Sequence, residues 1–64
     1  MEKLLAKASA DHQAGRLGPA ETGYRRVLEA DPARPEALHG LGLIALQMNN
    51  LGAALGLLER AAAL

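Results

Sequence analysis

Sixty-four residues carrying seven basic and seven acidic side chains make one small domain, residues 1–64, with no net charge. A chain of this length buries only ~60% of its unfolded surface, and without cysteine and with two histidines neither disulfides nor a structural zinc staple it. The charge balance and a pI near 6.7 speak against a nucleic-acid or anionic-membrane partner, and no apolar run reaches the ~20 residues of a membrane span.

The N-terminal run Met1-Glu2-Lys3-Leu4-Leu5-Ala6-Lys7 lacks the apolar core of a signal peptide, which makes a cytoplasmic setting the expectation. Ala and Leu, the strongest helix formers, supply 27 of the 64 residues, while β-branched residues are limited to Thr22, Val27 and Ile44. The chain therefore reads as all-α. Helices are expected over about 2–14, 19–30, 35–48 and 52–63. Gly15 ends the first helix in a left-handed conformation and Pro19 suits the first turn of the second. Asp31-Pro32-Ala33-Arg34-Pro35 is a stronger break, because each proline pushes its predecessor out of the helical region. Pro35 opens the third helix, and Glu36 complements its dipole. The third break is Asn49-Asn50-Leu51-Gly52, asparagine being the side-chain-bearing residue most tolerant of a left-handed backbone.

At an offset of 34 residues the halves align. Seven of 30 pairs are identical, among them Glu2/Glu36, Gln13/Gln47 and Leu17/Leu51, and Gly15-Arg16-Leu17-Gly18 falls on Asn49-Asn50-Leu51-Gly52. The second helices share a small-then-large pair, Ala20-x-x-x-Tyr24 over Ala54-x-x-x-Leu58. Two helix–turn–helix units thus follow one another, residues 1–34 and 35–64.

With Leu38-x-x-Leu41-Gly42-x-x-Ala45, Ala54-x-x-x-Leu58 and Ala61 in the second unit, and Leu4-x-x-x-Ala8, Ala20-x-x-x-Tyr24, Val27 and Pro32 in the first, the whole chain resembles the tetratricopeptide repeat (TPR) family. The resemblance implies two tandem hairpins forming a right-handed solenoid fragment without a C-terminal capping helix. Small residues (Ala8, Gly42, Ala20, Ala54) stand where helix axes approach, and Leu4, Leu38, Tyr24 and Leu58 are expected to fill the adjoining holes. Two departures stand out. The chain stops before the closing turn and proline, and Lys7 and Asp11 take places the family fills with apolar residues. Four apart on one helix, they can pair with each other on a face that no preceding repeat covers.

Ser9, Asp11 and His12 sit together, yet on a helix Asp11 points away from His12 and nothing supplies an oxyanion hole. His12 and His39 are ~10 Å apart along neighbouring first helices, too far to share a metal. Gly40-Leu41-Gly42 lies inside a helix without a following Lys-Ser/Thr, so no phosphate loop forms. Arg16, Arg25, Arg26 and Arg34 form a modest basic group whose acidic neighbours Glu21, Glu29 and Asp31 make it a salt-laced outer surface. No catalytic residue, metal or cofactor is expected.

TPR arrays line a concave groove with their first helices. On this chain those positions are Glu2, Leu5, Ser9, His12 and Gln13, then Glu36, His39, Leu43, Leu46 and Gln47. Without Lys, Arg or Asn there, and with Glu2 and Glu36 present, the lining does not match the clamp that grips C-terminal carboxylates. An apolar or helical protein segment suits Leu5, Leu43 and Leu46 better. Charge is also uneven: eleven charged side chains lie in residues 1–34 and three in residues 35–64. The last helix is apolar nearly all round, with a stripe of Leu51, Ala54, Leu55, Leu58, Ala61 and Ala62. Two repeats cover one of its faces and leave the other for a partner. The expectation is a non-catalytic interaction module that holds a protein partner in its groove. It would form a homodimer, or contact further repeats, through Leu51, Leu55, Leu58 and Ala62. The run Ala37–Ala45 also resembles bacterial TPR segments preceding O-GlcNAc-transferase-type glycosyltransferase domains. On that alternative the chain is an N-terminal piece of a larger enzyme, positioning a protein substrate for chemistry performed elsewhere.

Overall fold

The computed structural model describes residues 2–64. Its helices are α1 (Glu2–Gln13), α2 (Leu17–Ala30), α3 (Pro35–Gln47) and α4 (Leu51–Ala62), and the described residues contain no strand. α1 packs on α2 and α3 on α4 as two hairpins, and α2 against α3 joins them, with α1 touching α3 more lightly. The chain is an all-α pair of helical hairpins. α2 starts at Leu17, so Pro19 falls in the first turn, where its missing N–H costs nothing.

The two hairpin turns are built alike. Gly15 (φ +82°) and Asn49 (φ +61°) are left-handed. Arg16 N–H donates to the Asp11 carbonyl at 2.8 Å and Gly15 N–H to that of His12 at 3.0 Å. Asn50 N–H donates to the Ala45 carbonyl at 2.8 Å and Asn49 N–H to that of Leu46 at 3.0 Å. This pairing closes a helix on its own last carbonyls, and its members stand 34 residues apart, so the repeat exists in the backbone as well as the side chains. Between the hairpins, Arg34 is extended (ψ 108°) ahead of Pro35, as a residue before proline must be.

The core is Ala8, Ala20, Tyr24, Val27, Ala37, Leu41 and Ile44, with Leu5, Leu17, Leu28 and Leu57 packed against it from the edges. Glycines permit the closest approaches. A Cβ on Gly23 would stand 2.8 Å from that of Ala8, and one on Gly42 2.7 Å from Leu58 Cδ2. Of the four expected hole-fillers, Leu38 and Tyr24 are buried and Leu58 is half-buried, but Leu4 is 38% exposed because nothing packs outside α1. Lys7 and Asp11 pair as expected, at 2.8 Å. Asp11 is nevertheless buried, its second oxygen taken by Arg16 Nε at 3.0 Å.

Candidate functional site

α1 and α3 run side by side, because each is the first helix of its hairpin. Between them lies a cleft of about 670 Å³ bordered by Glu2, Leu5, Ser9, His12 and Gln13 on one side and Glu36, His39, Leu43 and Gln47 on the other. Every groove position named from the sequence is here except Leu46. Leu46 is 44% exposed and lies outside the cleft: one residue before Gln47, it is turned about 100° around α3, two turns beyond His39 on the same face. Ala6, the Tyr24 ring and Gly40, which sequence reasoning did not assign to the groove, complete the lining. Tyr24 and Gly40 belong together. A Cβ at Gly40 would stand 2.5 Å from Cε2 and 2.8 Å from Cε1 of Tyr24, so α3 can lie on α2 only where it has no side chain.

The cleft is braced at both ends. At the helix N-termini, Arg34 binds Glu2 of α1 and, through Nε at 3.1 Å, Glu36 of α3. At the C-termini, His12 Nε2 meets Gln47 Oε1 at 2.5 Å, and the His12 ring stands edge-on to Tyr24 with centroids 6.5 Å apart. The charges at the first brace are mutually adjusted. Glu2, then Glu36, raises the Arg34 guanidinium above its usual range, while its own backbone N–H, then Arg34, lowers the Glu36 carboxyl. Two carboxylates on one guanidinium leave this end of the cleft electronegative. Arg34 is therefore no part of a basic cluster. Arg16 is likewise drawn to Asp11, and Arg25 to Glu21 at 3.4 Å, so Arg25 has the acidic neighbour read beside it while Arg16 and Arg34 pair with carboxylates of α1 and α3.

The Ser9–Asp11–His12 run does not assemble into a relay. Ser9 and His12 face the cleft, whereas Asp11 is held by Lys7 and Arg16 on the other side of α1. Hydrogen bonds from those two cations, Lys7 first, also hold its carboxyl below the usual carboxylate range. Among the described residues no three His, Cys, Asp or Glu side chains converge to hold a metal, and no helix is long and apolar enough to cross a membrane.

The second feature is the open end of the stack. Pro35, Glu36, His39, Leu58, Ala61 and Ala62 border a cleft of about 440 Å³ between α3 and α4. Leu51 and Leu55, each 62% exposed, extend this apolar surface along α4, on which Ala54 alone is fully buried. Comparison with known protein families, characterised proteins and solved structures finds no match to this chain.

Proposed function

We propose that the chain is a non-catalytic protein-interaction module of the TPR kind, holding an apolar or helical segment of a protein partner between α1 and α3. The braced cleft carries this reading. It has leucines on both walls (Leu5, Leu43), polar side chains along its length (Ser9, His12, His39, Gln47) and a rigid aromatic floor. That mixture suits a segment with an apolar stripe and a few polar anchors. The electronegative end favours a segment that places a basic residue near Glu2 and Glu36. The open α3–α4 end is a separate association surface, for a second copy or for further repeats.

The test is selection of helical peptides from a random library on the wild-type protein, followed by binding to variants. His39→Ala and Leu43→Ala should weaken the selected peptides by roughly 30-fold each, the scale of a hot-spot truncation, with helicity retained. Arg25→Ala and Glu29→Ala on the opposite side should change affinity less than about 5-fold. Loss of binding from the second pair and not the first would overturn the assignment of the face.

A further inference from the structure

The two ends of this stack are chemically opposite, and the contrast restricts how copies can meet. A shift of 34 residues carries the first hairpin onto the second. On the first, Leu5, Tyr24, Val27 and Leu28 belong to or pack against the core that α3 completes. Their counterparts are His39, Leu58, Ala61 and Ala62, which border the open cleft. That cleft is therefore the place on the second hairpin that α3 occupies on the first. The surface continues along α4 through Leu51, counterpart of the core-packed Leu17, to Leu55.

At the opposite end the correspondence fails. α3 buries Ala37 and Leu41 against the first hairpin, and the same places on α1 hold the exposed Lys3 and Lys7. The outer cleft between α1 and α2 sets the charged Lys7, Asp11 and Arg26 around the smaller apolar surface of Leu4, Ala8 and Pro19. An apolar stripe docking there would cover Leu4 only by stripping water from the Lys7 ammonium and the Arg26 guanidinium. Copies stacked head to tail would have to make that contact at every junction.

We propose that the open α3–α4 end is covered by the same end of a second copy, in a two-fold dimer that closes on itself and does not grow. This rests on the reading of that end as an association surface. The patch is self-complementary, with leucines (Leu51, Leu55, Leu58) beside alanines (Ala61, Ala62), so each chain supplies both knobs and holes. Its charged member, Glu36, is engaged by Arg34, which tempers the like charge that two copies bring together. A stable interface takes ~800 Å² per partner, about a fifth of this chain's 3992 Å² of accessible surface. Glu36 and His39 border both clefts, so the partner copy would sit directly behind the α3 wall of the groove.

Sedimentation of the full chain from about 5 to 500 µM, with circular dichroism alongside, tests this. A monomer–dimer equilibrium with no larger species is expected. Leu51→Glu and Leu55→Glu, at positions outside the core, should each weaken the dimer at least about 30-fold while helicity persists. Should one variant lose its helicity, the other decides. Replacing Lys3 and Lys7 with the residues α3 carries there, Lys3→Ala with Lys7→Leu, should turn the closed dimer into open-ended oligomers. A wild-type chain that stays a folded monomer throughout overturns the proposal, as does one that polymerises, or a dimer indifferent to both glutamates. A monomer that still binds the groove-selected peptides overturns the dimer and leaves the groove standing.

Discussion

Gly40 offers the sharpest test of the packing that shapes the groove. In an open helix, Gly→Ala stabilises by about 1 kcal/mol, because alanine loses less conformational freedom on folding. At Gly40 the new methyl would stand 2.5 Å from Tyr24 Cε2, and the ring is only 5% exposed. Ordinary carbon contact near 3.5–4.0 Å requires the ring or α3 to withdraw by about 1 Å. Overpacking a core in this way costs roughly 1–3 kcal/mol. Set against the helix gain, Gly40→Ala should destabilise by about 1 kcal/mol, a fall of ~4–8 °C in melting temperature for a domain of this size. Gly56→Ala is the control. Nothing lies within 4 Å of its Cβ position, so the helix gain is uncompensated and the melting temperature should rise by ~4–8 °C. Gly42→Ala falls between the two, since the Leu58 side chain it meets at 2.7 Å is half-buried and can swing toward the open end. Thermal and urea melts followed by circular dichroism at one fixed protein concentration measure all three. If Gly40→Ala melts as high as Gly56→Ala, Tyr24 is not clamped beneath α3 and the account of the groove floor is wrong.

Three further outcomes follow from the caps and braces. Gly15→Ala should cost about 1–2 kcal/mol by chemical denaturation, and Asn49→Gly should be neutral or stabilising, because both positions are left-handed and glycine bears that conformation without strain. Asp11, whose carboxyl is held low by Lys7 and Arg16, contributes fully above the pH near 4 where a free carboxyl titrates, and loses its contribution as pH falls through its lower folded value. Asp11→Asn should therefore flatten the drop in melting temperature below about pH 4; an unchanged acid limb would show that the pair carries no linkage. Arg34→Gln releases Glu2 and Glu36 from their shared partner, and should lower the melting temperature and quicken amide exchange at the N-terminal end of α1.

Much of this fold could be read from punctuation. Gly15 and Asn49 announce the turns because few residues accept a left-handed backbone, and the 34-residue offset carries most of the groove lining from one helix to the next. The same translation misplaced Leu46. Its counterpart His12 leans inward to meet Gln47, whereas Leu46 has no such partner and lies 44% exposed. Gly40 and Gly23 were opaque for another reason. A glycine inside a helix reads locally as a weak helix former, and only the residue opposite reveals that the space was needed. The Arg34 brace joins residues 32 apart in the chain. The matched pair Glu2/Glu36, with an arginine two places before the second, was its one visible trace. Asp11 was read as half of a surface pair because Arg16 lies beyond the helix end and enters only when the left-handed turn folds it back.

The burial pattern has a consequence for cooperativity. α1 buries only Ala8 and Asp11, and α4 only Ala54, whereas α2 buries Ala20, Tyr24 and Val27 and α3 seven residues. The two inner helices that hold the core belong to different hairpins. The main buried cluster draws on both hairpins, so a nick in the Asp31–Arg34 loop should yield two fragments that lose most of their helix apart and regain it when mixed. Native-state exchange should find the outer helices opening first and α2 and α3 opening together, last. The smallest folding unit of this protein is the junction between its repeats.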